Sequence, residues 1–106
     1  MNPTKKRTTE GIRTALDLST GHIRLETNNL LMTGEEQEAF RFVNSQYGFV
    51  IFLCDKEGHR ERKAAGNYDR FPELIPIIEY ALKNDCLLIN FDRDAESITG
   101  LKSFDW

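Results

Sequence analysis

Three side chains have the types and spacing from which catalytic sites are often built. Asp92 and Asp94 stand two residues apart in the stretch FDRD, and His22 follows Ser-Thr-Gly earlier in the chain. Two carboxylates at this spacing can share a hard cation such as Mg²⁺ or Mn²⁺, with water or phosphate completing the shell. His22 would then act as a general base or a third ligand. This pattern is compatible with a metal-dependent phosphoryl-transfer or nuclease-like enzyme.

The same residues also have structural interpretations, which the sequence favours. Asp side chains hydrogen-bond the backbone two residues on, so FDRD is more typical of a turn than of a ligand site. Arg93 lies between the two carboxylates and would weaken a metal site through an internal ion pair. No neighbour in sequence completes a catalytic triad with His22. We therefore favour a satisfied structural hydrogen bond for His22, and we expect neither a metal nor another cofactor.

A second set of residues suits an interface with another protein. Trp106 is apolar with one polar N–H, so it belongs in a groove of its own domain or in a partner's pocket, and Phe104 lies close by. Arg60 and Arg62 belong to a charged stretch over residues 55–71, in which acidic residues alternate with the basic ones. The near neutrality of that stretch favours a solvated loop first, a loop that binds a protein partner second, and contact with nucleic acid least.

Composition limits the class of protein. With 106 residues, 40% of them apolar and 10% aromatic, the chain suits one folded domain. The formal charge of −3 is too small to indicate a strong field toward nucleic acid. The two cysteines, Cys54 and Cys86, border apolar runs and lack metal-ligand spacing, which fits core packing in a reduced compartment. Because no run approaches the ~20 apolar residues of a membrane helix, we expect a cytoplasmic protein with no membrane contact.

Apolar periodicity predicts the strands. Ile12, Leu16 and Leu18 are separated by even intervals, which is typical of a half-buried strand over 12–18. Two short continuous apolar runs, 48–54 and 86–91, are typical of buried central strands.

Helical spacing and capping signals predict the helices. A short helix is expected over 25–32, and the clearest helix covers 72–84, with Asn84 as a left-handed stop. The stretch TGEE at 33–36 has the form of a capping box, which predicts a further helix running toward Tyr47.

Together these elements predict a single α/β (α+β) domain over residues 11–106, behind a flexible tail at 1–10. The expected architecture is a mixed sheet of three to four strands with two to three helices. The strand, helix and strand between residues 48 and 91 predict one βαβ unit with parallel strands. The charged stretch 55–71 is either a mobile loop or a hidden hairpin or helix. Leu101 and Phe104 can add a short edge strand.

Four stretches, taken in order, resemble a family of small bacterial proteins of unknown function. They are LSTGHI at 18–23, the leucine pair at 30–31, YGFVIFL at 47–53 and FDRDAESITGLKSFDW at 91–106. The resemblance is to a Ser-Thr-small-His-Ile element, a Tyr-Gly-aromatic strand and a closing Phe-Asp-Arg-Asp…Phe-Asp-Trp. Arg24 stands in place of a helix-capping threonine of that pattern, and Thr27 in place of an acidic residue.

The resemblance implies candidate positions and no mechanism. It points to His22, Asp92, Asp94 and Trp106, and it implies carriage by plasmids and other mobile elements. Our leading hypothesis is a protein-binding or accessory module of such an element. The sequence contains no complete catalytic set, whereas it does contain residues typical of a protein interface. The metal-dependent enzyme is the alternative, and a DNA-binding protein is a second one. Neither the partner nor the oligomeric state follows from the sequence.

Overall fold

A computed structural model describes residues 14–35, 40–45 and 48–106. A short 3-10 turn, Thr20–His22, follows the first strand. The strands are β1 Thr14–Leu18, β2 Arg41–Asn44, β3 Gly48–Phe52 and β4 Cys86–Asp92, and the helices are α1 Leu25–Met32, α2 Lys56–Ala64 and α3 Leu74–Lys83. Within the described ranges, no helix has the length and apolar content needed to cross a lipid bilayer.

The four strands form one mixed sheet in the order β1-β4-β3-β2. Strand β4 pairs in parallel with β1 and antiparallel with β3, while β2 pairs antiparallel with β3 at the edge. The predicted class, a single small α+β domain with a mixed sheet and three helices, is confirmed. The predicted tail at 1–10 lies outside the described residues.

The predicted βαβ unit is wrong, because β3 and β4 run antiparallel. Gly48 lies opposite Asp92 and Phe52 opposite Leu88, so β3 ends where β4 begins. A single helix after β3 would return the chain to the start of β3, and β4 would then run parallel to it. Two helices return the chain to the end of β3, so β4 runs antiparallel. The charged stretch 55–71 supplies the extra helix, α2. Of the alternatives predicted for this stretch, a loop, a hairpin or a helix, the structure shows the helix.

The helix predicted from Thr33 to Tyr47 is also wrong, since Arg41–Asn44 is strand β2. The β-branched and aromatic side chains of this stretch pair across the strands, with Val43 opposite Val50. Thr33 ends α1 instead of starting a helix, and its hydroxyl donates to the Leu30 carbonyl at 2.6 Å. The other half of the predicted capping box, Glu36, lies outside the described residues.

Two smaller predictions also differ from the structure. The left-handed residue after α3 is Asp85, with φ of 61°, and not Asn84, whose φ is −100°. Leu101 and Phe104 belong to no strand in the described C-terminal part of the chain. That segment is held by separate hydrogen bonds to the turn after β1 and not by strand pairing.

Helix α3 covers one face of the sheet and confirms the clearest helical prediction. Its residues at helical spacing, among them Leu74, Ile77 and Ile78, are buried against β4 and its neighbours. On the sheet, Leu18, Ile51, Ile89 and other side chains meet them in a single core. Burying each such side chain contributes about 1.5–3 kcal/mol, which makes this layer the main source of stability.

Gly48 allows β3 to approach β4 closely. A Cβ built on Gly48 would overlap the carbonyl group of Phe91 in the neighbouring strand. We expect Gly48→Ala to lower the free energy of unfolding by more than about 3 kcal/mol, beyond the range of ordinary substitutions. Val50→Ala in the same strand, which removes atoms without a clash, is the matched control. Equal urea midpoints for the two variants would contradict this close approach.

Candidate functional site

The turn after β1 places His22 inside the domain. Ser19 caps the turn, because its hydroxyl oxygen accepts from the Gly21 N–H at 3.0 Å. The 3-10 geometry then directs the imidazole of His22 inward, where the residue is only 1% exposed. The signal STGH is therefore a local turn that buries its histidine.

Both ring nitrogens of His22 are bound to the same segment near the end of the chain. The Ile98 N–H donates to Nε2 at 2.9 Å, so Nε2 carries no proton. Nδ1 lies 2.8 Å from the carbonyl oxygen of Lys102, which can only accept, so the proton is on Nδ1. The ring cannot take a proton from a substrate without losing one of these bonds. This geometry favours the structural interpretation of His22.

Two further hydrogen bonds attach the same C-terminal segment, residues 98–106, to the turn. The Phe104 N–H donates to the Gly21 carbonyl at 2.7 Å, and the Trp106 indole N–H donates to the Ile23 carbonyl at 2.8 Å. Trp106 thus binds its own domain through its polar edge. The residue is nevertheless 52% exposed, so part of the indole faces outward.

Asp92 and Asp94 form a turn of the kind that Asp residues commonly make. The Asp94 N–H donates to Oδ1 of Asp92 at 2.8 Å, and the Ala95 N–H donates to the Asp92 carbonyl at 3.0 Å. Among the residues that the structure describes, no three His, Cys, Asp or Glu side chains are grouped to hold a metal ion. The hydrogen bonds of His22 go to Ile98 and Lys102 and not to either aspartate.

A pocket of about 290 Å³ opens beside Trp106, at the carboxyl ends of the parallel strands β1 and β4. Three of the four stretches that carry the family resemblance contribute to this Trp106 pocket: 18–23 through Thr20, 47–53 through Gly48 and Phe49, and 91–106 through Arg93 and Trp106. It is lined by Thr20, Asn28, Met32, Asn44, Ser45, Gly48, Phe49, Arg93 and Trp106. The carboxyl end of parallel strands is also where open sheets bind their ligands.

The lining of the Trp106 pocket combines apolar walls with one charge. Met32 and Trp106 are 61% and 52% exposed, so two large apolar side chains stand at its rim. Of the lining residues that the structure describes, only Arg93 has a charged side chain. The remaining polar groups are short hydroxyls and amides. Such a lining can hold an apolar side chain and place a carboxylate near the guanidinium of Arg93.

The residues predicted to bind a partner do not all meet at this pocket. Phe104 is half-buried, with the Lys102 ammonium 5.2 Å from its ring centroid. Arg60 lies on α2 and lines a different cavity, between α2 and α3. Arg62 is half-buried and hydrogen-bonds Tyr68. Of that predicted set, Trp106 alone lines the pocket at the strand ends.

His59, which belongs to the charged stretch 55–71, is buried and not exposed to solvent. It is 6% exposed on the inner side of α2, with Nε2 3.1 Å from Glu79 Oε2 and Nδ1 3.2 Å from the Tyr68 hydroxyl. Lys63 donates to the same Glu79 oxygen at 2.9 Å. The buried network was missed because its members come from three separate stretches. Only the helical spacing of His59 and Lys63 was visible in the sequence.

The order tyrosine, histidine, carboxylate is that of a nucleophile, a base and an orienting acid. Burial raises the pKa of Tyr68, and the nearby Cys54 adds to the shift, whereas Arg62 opposes it. An activated nucleophile needs its pKa lowered, so the phenol of Tyr68 is a poor one. The network therefore acts as a structural tie between α2, the following turn and α3.

Glu73 is the second buried anchor that sequence reasoning missed. Its side chain is 6% exposed, and it accepts from the Arg24 backbone N–H, from Arg24 Nε and from the Thr27 hydroxyl. It thereby caps the start of α1 from a distant part of the chain. Arg24 and Thr27 are the two positions where this sequence departs from the pattern it resembles, and here both bind one carboxylate.

Fold and site together define a small α+β domain with a pocket at the strand ends. The chain belongs to the family described as "Family of unknown function (DUF5983) C-terminal domain", whose model matches residues 15–106. No curated protein and no solved structure matches it. Membership in a family of unknown function is confirmed, while the implied association with bacterial mobile elements stays a prediction.

The hydrogen bonds of His22 can be tested by the release of the C-terminal segment. In His22→Leu, the Ile98 N–H and the Lys102 carbonyl lose their partner, so we expect a loss of about 2–4 kcal/mol in the free energy of unfolding. Trypsin should also cleave faster after Lys102, as measured by mass spectrometry. Ser97→Ala in the same exposed stretch is the control. An unchanged cleavage rate in His22→Leu would show that the ring does not hold the segment.

The pairing of Glu79 predicts a pH dependence of stability. Hydrogen bonds from Lys63 and then His59 lower the pKa of Glu79 below its ordinary value of 4.5. The stabilisation is therefore complete above that value and is lost as the pH falls through the lowered pKa. Urea titrations should show Glu79→Gln losing less stability than the wild type on acidification below pH 4.5. Glu96→Gln is the control and should lose stability with falling pH as the wild type does. The same pH dependence of the free energy of unfolding in Glu79→Gln would contradict the pairing.

Proposed function

We propose that this domain is a protein-binding module that takes up a partner's segment in the Trp106 pocket. The segment would present an apolar side chain next to a carboxylate. The observation that carries the proposal is the convergence of separate sequence stretches on one pocket: Thr20 follows β1, Phe49 belongs to β3, Arg93 follows β4, and Trp106 closes the pocket. The resemblance to plasmid-borne proteins adds the proposal that the partner comes from the same mobile element.

The exposed apolar rim supports this role. Trp and Met are enriched in the centres of protein interfaces, and a tryptophan often supplies a dominant share of the binding energy. Trp106 is held at its N–H edge by the Ile23 carbonyl, so the ring is already oriented before a partner arrives. Such preorganisation reduces the entropy lost on binding.

The charge of the lining supports the chemistry of the partner. Arg93 carries the one charged side chain among the described residues that line the pocket, and none of those side chains is a carboxylate. A planar guanidinium beside an aromatic wall suits a carboxylate attached to an apolar side chain. The proposal therefore specifies an acidic and apolar segment.

The contacts favour this function over the enzymatic alternative. A metal-dependent hydrolase would need His22 as a base or ligand together with Asp92 and Asp94. His22 already uses both ring nitrogens, and Asp92 uses Oδ1 within its own turn. The DNA-binding alternative gains no support from the pocket, where Arg93 has the single charged side chain among the described lining residues.

Site-specific photo-crosslinking tests the proposed module. A photoreactive residue placed at Met32, on the pocket rim, should capture a partner in cells that make the protein naturally. The same residue at Tyr80, which is exposed on α3, is the matched control and should not capture it. Mass spectrometry should locate the crosslink in an acidic and apolar segment.

Two variants establish that the capture depends on the pocket. Trp106→Ala removes the wall, and Ser45→Arg fills the pocket while leaving Trp106 in place. Both should reduce the crosslink from Met32 at least about tenfold, which corresponds to the loss of one good anchor. Circular dichroism checks that each variant is folded. An undiminished crosslink in the folded Ser45→Arg variant would overturn the proposal.

A further inference from the structure

A second cavity, of about 330 Å³, lies in the groove between α2 and α3. We call it the α2–α3 cavity; its lining residues are Lys56, His59, Arg60, Lys63, Glu79, Leu82 and Lys83. Four cations stand there against one carboxylate, a net of +3, in a chain whose formal charge is −3. The cavity lining is thus positively charged, although the chain as a whole is negatively charged.

One face of α2 carries most of this charge. Lys56, Arg60 and Lys63 are spaced four and three residues apart, which places them on the same side of the helix. Cations at this spacing repel one another and destabilise a helix, whereas a bound anion would remove that repulsion. The acidic residues of α2, Glu57 and Glu61, are not part of the cavity lining.

The floor of the cavity is held in place by the buried network. Glu79 accepts from Lys63 at 2.9 Å and lies 3.1 Å from His59 Nε2, so the two helices are tied together on this side. Within the described part of the chain, Lys56, Arg60 and Lys83 make no hydrogen bond or ion pair through their side chains. Three cationic side chains without an ion-pair partner among the described residues therefore surround this cavity, whose floor is fixed by the Glu79 contacts.

We propose that the α2–α3 cavity binds a small phosphate-bearing molecule, with its phosphate held by Lys56, Arg60 and Lys83. Arginine and lysine together are the usual partners of phosphate oxygens, since they supply charge-assisted hydrogen bonds. Leu82 gives the rest of the molecule an apolar contact. The cavity volume is at the lower end of the range for small-ligand pockets.

The charge distribution favours a small ligand over a nucleic acid. Binding along a phosphate backbone requires a continuous positive stripe. Here the positive charge is confined to one groove, and the other faces of α2 carry acidic residues. This inference is independent of the proposed protein-binding function, which rests on the other end of the sheet.

Calorimetry with inorganic pyrophosphate tests the inference on the full chain at constant ionic strength. We expect saturable binding to the wild type and an increase in its thermal midpoint. The double variant Arg60→Gln/Lys83→Gln should bind at least about tenfold more weakly, because two charge-assisted contacts are lost. Without pyrophosphate it should be as stable as the wild type or slightly more so, since like-charge repulsion is reduced.

Arg41→Gln is the matched control, since Arg41 is an exposed cation on β2 outside this cavity. It should retain wild-type binding, and sodium chloride at the same ionic strength should not reproduce the stabilisation. Equal binding by the wild type and the double variant would overturn the inference. The inference would also be overturned if a short single-stranded oligonucleotide bound through Arg60 and Lys83 and pyrophosphate did not compete with it.

Discussion

The paired hydrogen bonds of the buried His22 imidazole are the interaction on which the rest of the structure depends. The C-terminal segment, 98–106, contains no helix or strand, so it gains nothing from a regular hydrogen-bond ladder. It is ordered instead by bonds to three consecutive residues of the turn after β1, namely 21, 22 and 23. Because a buried polar group without a partner is costly, these bonds determine where the segment lies, and with it the wall of the Trp106 pocket.

This use of His22 also determines what kind of site the strand ends can form. A neutral imidazole that accepts at Nε2 and donates at Nδ1 has no free nitrogen for a substrate. The turn at Asp92 uses its carboxylate in a similar way. His22 and Asp92, which resemble part of a catalytic set in the sequence, therefore act as supports. The exposed part of the Trp106 ring is the feature at the strand ends that can contact another molecule.

Elements with a strong local signal were predicted correctly, and those decided by pairing were not. Helix α3 has apolar side chains on one face throughout, so its periodicity alone identifies it. Strand β2 carries a similar spacing, but its residues pair with β3, and that cross-strand pairing outweighs the helical pattern. The direction of β4 relative to β3 depended on whether α2 formed, which a polar stretch does not reveal through apolar periodicity.

The sequence by itself determined the class of domain, its buried strands and its clearest helix. Local periodicity and turn chemistry suffice for these features because they act between near neighbours. Only the tertiary structure decided that His22 supports the C-terminal segment, that Glu73 caps α1 and that His59 is buried against Glu79 and Tyr68. These contacts join residues that are not neighbours within one helix or strand, from 9 residues apart for His59 and Tyr68 to 80 for His22 and Lys102. Burial makes their hydrogen bonds necessary, so no local pattern records them.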